Sequence, residues 1–237
     1  VIYLQNLNKQ FGPKKILKDV SFHFRPRERV GLIGENGTGK TTLFRIIMKT
    51  ESVDAGKIVF RKGAQAATLE QELNAYDGSV LERVISGNPS LQVIRQKMDD
   101  LEKQMSSDPT SEATTSHYGK LQHKFEQLNG YELEPKACSI LSGLGFSEDK
   151  LKKPLNEFSG GWRMRVEMAR LLLQNPDILL LDEPTNHFDL KSVEWLEGFL
   201  KKYDGSLLLI SHDRRFLNNL VTRIVELDRG VLTSYSG

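Results

Sequence analysis

Short apolar runs alternate with turn signals through the N-terminal part of the chain. Val20 to Phe24 reads as a strand, Arg25-Pro26-Arg27-Glu28 as a turn, and Val30 to Ile33 as a buried strand. A glycine-rich loop follows. From Lys40 the run Thr41-Thr42-Leu43-Phe44-Arg45-Ile46-Ile47-Met48 carries apolar residues at helical spacing, which gives strand, loop, helix. Late in the chain the pattern recurs, with apolar runs at Ile178 to Leu181, Leu207 to Ile210 and Ile224 to Leu227 separated by helical stretches. Uniformly apolar short strands alternating with helices predict an α/β fold with a buried parallel sheet.

The middle of the chain has a different period. Apolar residues fall at Leu91, Ile94, Met98, Leu101 and Met105, and again at Tyr118, Leu121, Phe125 and Leu128, alternating steps of three and four. This spacing predicts a seam between two helices. Asn88-Pro89 supplies a start signal for the first, which over Pro89 to Met105 would be about 25 Å long. In the polar turn Ser106 to Ser111, Asp108 is placed as N-cap and Pro109 as first residue of the second. The expectation is an antiparallel helical arm over 88–130 projecting from the α/β body. The other reading of the seam is ordinary core against that body.

Composition narrows the classes. With 237 residues, the length prior is about 1.6 domains. Hydrophobic residues at 38% and charged residues at 27% exclude disordered, collagen-like and membrane-embedded chains. The aliphatic runs Ile178 to Leu181 and Leu207 to Ile210 are far below the roughly 20 residues that span a bilayer. A net charge of +2 favours no particular partner. Segment 91–136 carries more acidic than basic residues, so any RNA contact there depends on shape and a few side chains. Cys138 is the one cysteine, expected as a buried, inert thiol in a reducing compartment. The chain opens directly into strand-like Val1-Ile2-Tyr3-Leu4 with no signal-like segment, and a cytoplasmic home is expected.

Two motifs carry chemistry. Gly34-Glu35-Asn36-Gly37-Thr38-Gly39-Lys40-Thr41 fits G-x-x-x-x-G-K-[ST], the phosphate-binding loop. Its glycines let backbone N–H groups converge on phosphate oxygens and the following helix aims its positive end at them. Lys40 reaches the β/γ-phosphates and Thr41 can ligate Mg²⁺. Ile178-Leu179-Leu180-Leu181-Asp182-Glu183 puts two carboxylates at the C-terminal end of a buried strand, where ligands of open α/β sheets collect. Asp182 is suited to the Mg²⁺ shell and Glu183 to polarising the attacking water.

With these in place the sequence resembles the ATP-binding cassette (ABC) superfamily. Ser159-Gly160-Gly161-Trp162 looks like the cassette signature, and Asp182-Glu183-Pro184-Thr185-Asn186-His187-Phe188-Asp189 like its Walker B and D-loop. Ser211-His212-Asp213 looks like the switch histidine, Gln71 sits where the family has its Q-loop, and Phe11 where it has the aromatic that stacks on adenine. The resemblance implies an α/β P-loop NTPase of ABC type over 1–237, with a helical signature region over 137–172 and the inserted two-helix arm. It implies an ATPase using ATP and Mg²⁺. Glu183, His212 and Gln71 would be catalytic, Thr41, Gln71 and Asp182 would hold the metal, and Phe11, Gly34 to Thr42 and Ser159 to Gly161 would contact nucleotide. The signature would close over ATP held by a different cassette. By residue type alone, His212 reads as a surface histidine at a strand end and Phe11 as core. Arg163, Arg165 and Arg170 read as a solvated helix face, with ribosomal contact as the other reading.

Within the superfamily, Trp162 after Ser-Gly-Gly, the Asn186-His187 pair and the arm between Gln71 and Ser159 resemble the ABC-F group, soluble twin-cassette proteins that act on ribosomes. Phe188 departs from the Leu usual in that D-loop. No second cassette or charged linker follows Gly237, so the chain is expected to be a first cassette whose partner lies in the same polypeptide. A single-cassette homodimer is the other explanation. The ATPase subunit of a membrane ABC transporter is the alternative to the ribosomal role.

Overall fold

The computed structural model describes residues 1–69, 76–107, 112–186 and 188–236. The expectations placed on Gln71, Asp108, Pro109 and His187 lie outside the described residues. The chain forms two compact units, one of residues 1–71 and 175–237, the other of 72–174.

The first unit begins with β1 (Ile2–Phe11), β2 (Lys14–Phe24), β3 (Arg29–Ile33), α1 (Lys40–Ile47), β4 (Ala55–Phe60) and β5 (Ala66–Thr68). It resumes after the second unit, whose described residues supply α2 (Val80–Ile85) to α7 (Gly160–Gln174), with β6 (Ile178–Asp182), α8 (Leu190–Lys201), β7 (Ser206–Ile210), α9 (Arg214–Leu220), β8 (Arg223–Asp228) and β9 (Val231–Ser236). The larger sheet runs β5-β6-β7-β3-β8-β9, parallel except where β9 returns antiparallel on β8. Every residue of β7 and the first four of β6 are buried, as a parallel sheet requires when neither face meets water.

A smaller antiparallel sheet, β2-β1-β4, is less regular. Its register shifts around Asn6 and Asp19, both at positive φ, where Asn8 Nδ2 donates to Asp19 Oδ1 at 2.7 Å and the Asp19 N–H donates to Asn8 Oδ1 at 3.1 Å. Those side chains supply hydrogen bonds that the broken ladder does not. One core joins the two sheets and α1 through Leu7, Leu17, Phe24, Leu32, Leu43 and Phe44. Each such side chain contributes about 1.5–3 kcal/mol on burial.

The second unit contains α2 (Val80–Ile85), α3 (Pro89–Ser107), α4 (Glu112–Gln127), α5 (Leu133–Gly143), α6 (Glu148–Leu151) and α7 (Gly160–Gln174), with 3₁₀ turns at Gly130–Glu132 and Leu155–Glu157. Ser79 starts α2 with a reciprocal cap: the Glu82 N–H donates to its hydroxyl, and the Ser79 N–H donates to the Glu82 carboxylate. α7 buries Val166, Met168, Ala169 and Leu172, and is in contact with α2 and α5. The α3–α4 hairpin is antiparallel. Leu91, Ile94 and Met98 enclose Phe125 near its base, and the Tyr118 hydroxyl donates to Glu102 Oε1 at 2.7 Å further out. Gly130 lets the chain pass the Phe125 ring, since a Cβ there would fall 2.5 Å from ring carbons.

Two expectations need correction. Leu128, counted in the seam, is 46% exposed, because α4 ends at Gln127 and Asn129 turns the chain with φ of 54°. The α7 arginines are neither a solvated face nor presented as an open contact surface. Arg165 is buried, donates to the Leu144 carbonyl at 3.0 Å and lies 4.8 Å over the Trp162 ring. Arg163 donates to the Phe158 and Asn156 carbonyls at 2.7 and 2.8 Å. Arg170 pairs with the buried Glu167 at 2.6 Å, which also takes Arg83 at 2.6 Å. These guanidiniums hold the helical unit together. Cys138 is half-buried, with its thiol pKa pushed up by desolvation.

Candidate functional site

β3 delivers the chain into a loop that only glycine can follow at two points. Gly34 has φ of 148°, and a Cβ there would lie 2.4 Å from the Leu227 carbonyl oxygen. Gly39 has φ of 109°, and a Cβ there would lie 2.3 Å from Ile16 Cγ2. Glu35, Asn36 and Gly37 form the exposed crest, and Thr38 closes it with its hydroxyl on the Glu35 carbonyl at 2.9 Å. α1 starts at Lys40, so the N–H groups of its first turn have no acceptor within the helix and form a site for anions. The Lys40 stem is buried, and its ammonium donates to the Gly34 and Glu35 carbonyls at 2.7 and 2.9 Å. Thr41 is exposed at the helix start and Thr42 half-buried beside it.

The parallel strands bring the carboxylates to this loop. The Thr41 hydroxyl donates to Asp182 Oδ2 at 2.8 Å. Glu183, just past the end of β6, takes φ of 48°, and its N–H donates to the Ile210 carbonyl at 2.9 Å. Its Oε2 accepts the His212 N–H at 3.3 Å, and its Oε1 lies 3.6 Å from His212 Nε2. That Oε1 is buried and has no hydrogen-bond partner among the described residues. A buried carboxylate oxygen without a hydrogen-bond donor from the protein keeps its accepting capacity for a water or ligand.

Thus Gly34 to Thr42, Asp182, Glu183 and His212 form one constellation within the first unit. Ser159, Gly160 and Gly161 belong to the second unit, where they open α7 with Ser159 and Gly160 exposed. Phe11 ends β1 and is 48% exposed, so it is not a core residue. Two lysines went unnoticed in the sequence. Lys14, paired across the turn with Phe11, donates to the Gly37 carbonyl at 3.2 Å and tethers the β1–β2 turn to the phosphate loop. Lys9 lies 4.9 Å from the Phe11 ring centroid. Neither belongs to a motif of the sequence.

The donor set suits a hard divalent cation in one way. Among the described residues no cluster of three or more His, Cys, Asp or Glu side chains exists. A hydroxyl and one carboxylate oxygen held 2.8 Å apart do fit Mg²⁺, which takes few protein ligands and completes its shell from phosphates and water.

A glycine-shaped phosphate loop, its lysine and an acid pair at the end of β6, one strand removed from β3 in the sheet, define a P-loop nucleotide-binding domain. Residues 17–186 match the family described as ABC transporter, and the chain belongs to that family. It is similar to the uncharacterized ABC transporter ATP-binding protein YfmR of Bacillus subtilis, with 39% identity over 100% of this chain and 38% of that protein. It is 37% identical to the ATP-binding protein Uup of Escherichia coli K12 over 96% of this chain and 35% of that one. It is also 37% identical to ABC transporter F family member 2 of Arabidopsis thaliana, over 100% and 36%. The chain therefore spans between 35% and 38% of the length of these relatives. Among solved structures, the ATP-binding subunit of an ABC transporter superposes with a TM-score of 0.72 at 20% identity, covering 100% of this chain and 90% of that one. A dimeric cassette in a post-hydrolysis state bound to ADP and Pi gives 0.69 at 21%, covering 100% and 98%. At those identities the likeness is one of fold. No helix among the described residues is long and apolar enough to cross a membrane.

Proposed function

We propose that the chain is the first nucleotide-binding cassette of an ABC-F type protein, which binds and hydrolyses ATP and uses closure onto a second cassette to act on the ribosome in the cytoplasm. The observation that carries the nucleotide chemistry is the Thr41–Asp182 contact beside Glu183, whose buried Oε1 has no hydrogen-bond partner among the described residues. The F-group relatives and their greater length support the twin-cassette setting.

In this reading the loop N–H groups and the α1 N-terminus bind the β- and γ-phosphates, and Lys40 exchanges its carbonyl partners for phosphate oxygens. Thr41 and Asp182 would hold Mg²⁺, with Gln71 by resemblance. The ion, when bound, offsets negative charge on the phosphates. Glu183 orients water and takes up its proton as the water oxygen bonds to the γ-phosphorus and the bond from that phosphorus to the β–γ bridging oxygen breaks, releasing ADP, while His212 steadies the Glu183 carboxylate and reaches toward the γ-phosphate. Phe11 stacks on adenine. Ser159 to Gly161 contribute to the site of the other cassette. By the cassette resemblance, a phosphate loop and a signature complete a site only with those of a second cassette, so the isolated chain binds ATP and hydrolyses it slowly.

Two experiments test this. Turnover of this chain is compared with that of the longer protein, and equal specific activity from a strictly monomeric chain would sink the two-cassette reading. Glu183→Gln in the longer protein is expected to trap ATP and co-sediment with ribosomes; failure to do so counts against translation. The family description keeps a transporter ATPase subunit as the second reading. Co-purification with a membrane pore protein would favour it.

A further inference from the structure

We infer that Lys9 is a positioning residue for the nucleotide base, holding the Phe11 ring from behind so that its other face is presented for stacking. This rests on the proposed role of Phe11 as the base platform. Lysine is rarely buried unless paired, and Lys9 is only 6% exposed. Its ammonium meets Glu51 Oε1 at 2.6 Å and Asp54 Oδ1 at 3.8 Å, while lying 4.9 Å from the Phe11 ring centroid.

The two acids are themselves fixed. Asp54 Oδ2 accepts the Gln10 N–H at 2.7 Å, and the Asp54 N–H donates to the Asn8 carbonyl at 2.9 Å. Asp54 thus fastens the backbone on both sides of Lys9, at the point where β1 departs from regular pairing. The hydrogen bond to the Glu51 carboxylate outweighs desolvation and holds the Lys9 pKa above its ordinary value.

Phe11, two residues on, is half exposed with an ammonium against its ring. The cation attracts the π-electrons, fixes the ring plane and leaves the open face electron-poor, which favours an electron-rich purine as stacking partner. The platform is correctly sited for this, because Lys14 across the turn reaches the phosphate loop at Gly37. An aromatic base platform, a turn and a phosphate loop are then joined through two lysines. One tethers the turn and the other braces the ring.

The inference concerns the base, so inorganic tripolyphosphate, which has none, separates it from general damage. Affinities for ATP and for tripolyphosphate are measured by calorimetry on the intact chain and on Phe11→Ala, Lys9→Met and the double variant. Lys9→Met is expected to weaken ATP about 5- to 10-fold, a fraction of what base–aromatic stacking supplies. Tripolyphosphate binding should stay within about 2-fold, and the ATP loss should vanish in the Phe11→Ala background. Equal weakening of both ligands, or an undiminished effect without Phe11, would overturn the inference and leave Lys9 a structural residue. If Phe11→Ala itself leaves ATP affinity intact, the platform reading fails first and the inference falls with it. Glu51→Gln guards against misfolding of Lys9→Met, since it loosens the anchor and keeps the lysine. It should give the same ATP-selective loss, and none would be evidence against the brace.

Discussion

The Thr41 hydroxyl donates to Asp182 Oδ2 across 2.8 Å, joining the first turn of α1 to the last residue of β6. Thr41→Val keeps the shape of the side chain and removes the oxygen. If the pair holds Mg²⁺, the variant should bind ATP as well as the parent in EDTA. It should lose about 10-fold of the affinity that added Mg²⁺ confers, within the range for a charge-assisted ligand. Titration with and without Mg²⁺ checks this. Equal Mg²⁺ enhancement in both would make the contact purely structural.

Glu183 combines backbone at φ of 48° with a buried Oε1 that has no hydrogen-bond partner among the described residues and lies 3.6 Å from His212 Nε2. Glu183→Gln preserves volume and removes the base. Phosphate release should fall by 10²-fold or more, on the order expected for loss of a general base, with ATP affinity held within about 3-fold. Loss of binding together with turnover would assign Glu183 to the fold instead.

Gly39→Ala faces two separable penalties. A left-handed φ of 109° is strained for any residue with a Cβ, and that Cβ would meet Ile16 Cγ2 at 2.3 Å. The pair should cost about 2–4 kcal/mol together. Ile16→Ala in the same chain should recover the steric part and leave the backbone part. Thermal melts of the parent, both singles and the double resolve the two. Full recovery would show that the dihedral carries no cost there.

The phosphate loop and the acid pair were legible because their chemistry lies in consecutive residues, and the strand-loop-helix order around Gly34 to Thr41 follows from a change in hydrophobic period. Long-range packing left no such trace. Arg165 and Arg163 read as solvated because charge usually means water, and only the fold reveals the Leu144, Phe158 and Asn156 carbonyls that receive them. β1 hid its extent because the irregular pairing around Asn6 interrupts strict alternation. Lys9 and Lys14 were silent for a further reason. Their polar partners are the Glu51 carboxylate and the Gly37 carbonyl, both on loops distant in sequence, and no spacing rule relates either pair.

Glu167 gives the test of what the α7 arginines do. Its side chain is 4% exposed and meets Arg83 Nε and Arg170 Nε, each at 2.6 Å. Breaking a buried pair costs far more than an exposed one, because charge is left behind in a medium that solvates it poorly. Glu167→Gln, close to isosteric, should destabilise the chain by about 3 kcal/mol. An exposed bridge would lose most of its effect in high salt, where screening acts within about 3 Å at 1 M, whereas this difference should persist. Urea unfolding of both forms at about 0.05 M and about 1 M NaCl, roughly 20-fold apart in ionic strength, distinguishes the cases. A penalty that disappears at the higher salt would return these arginines to the solvated face that their composition first indicated.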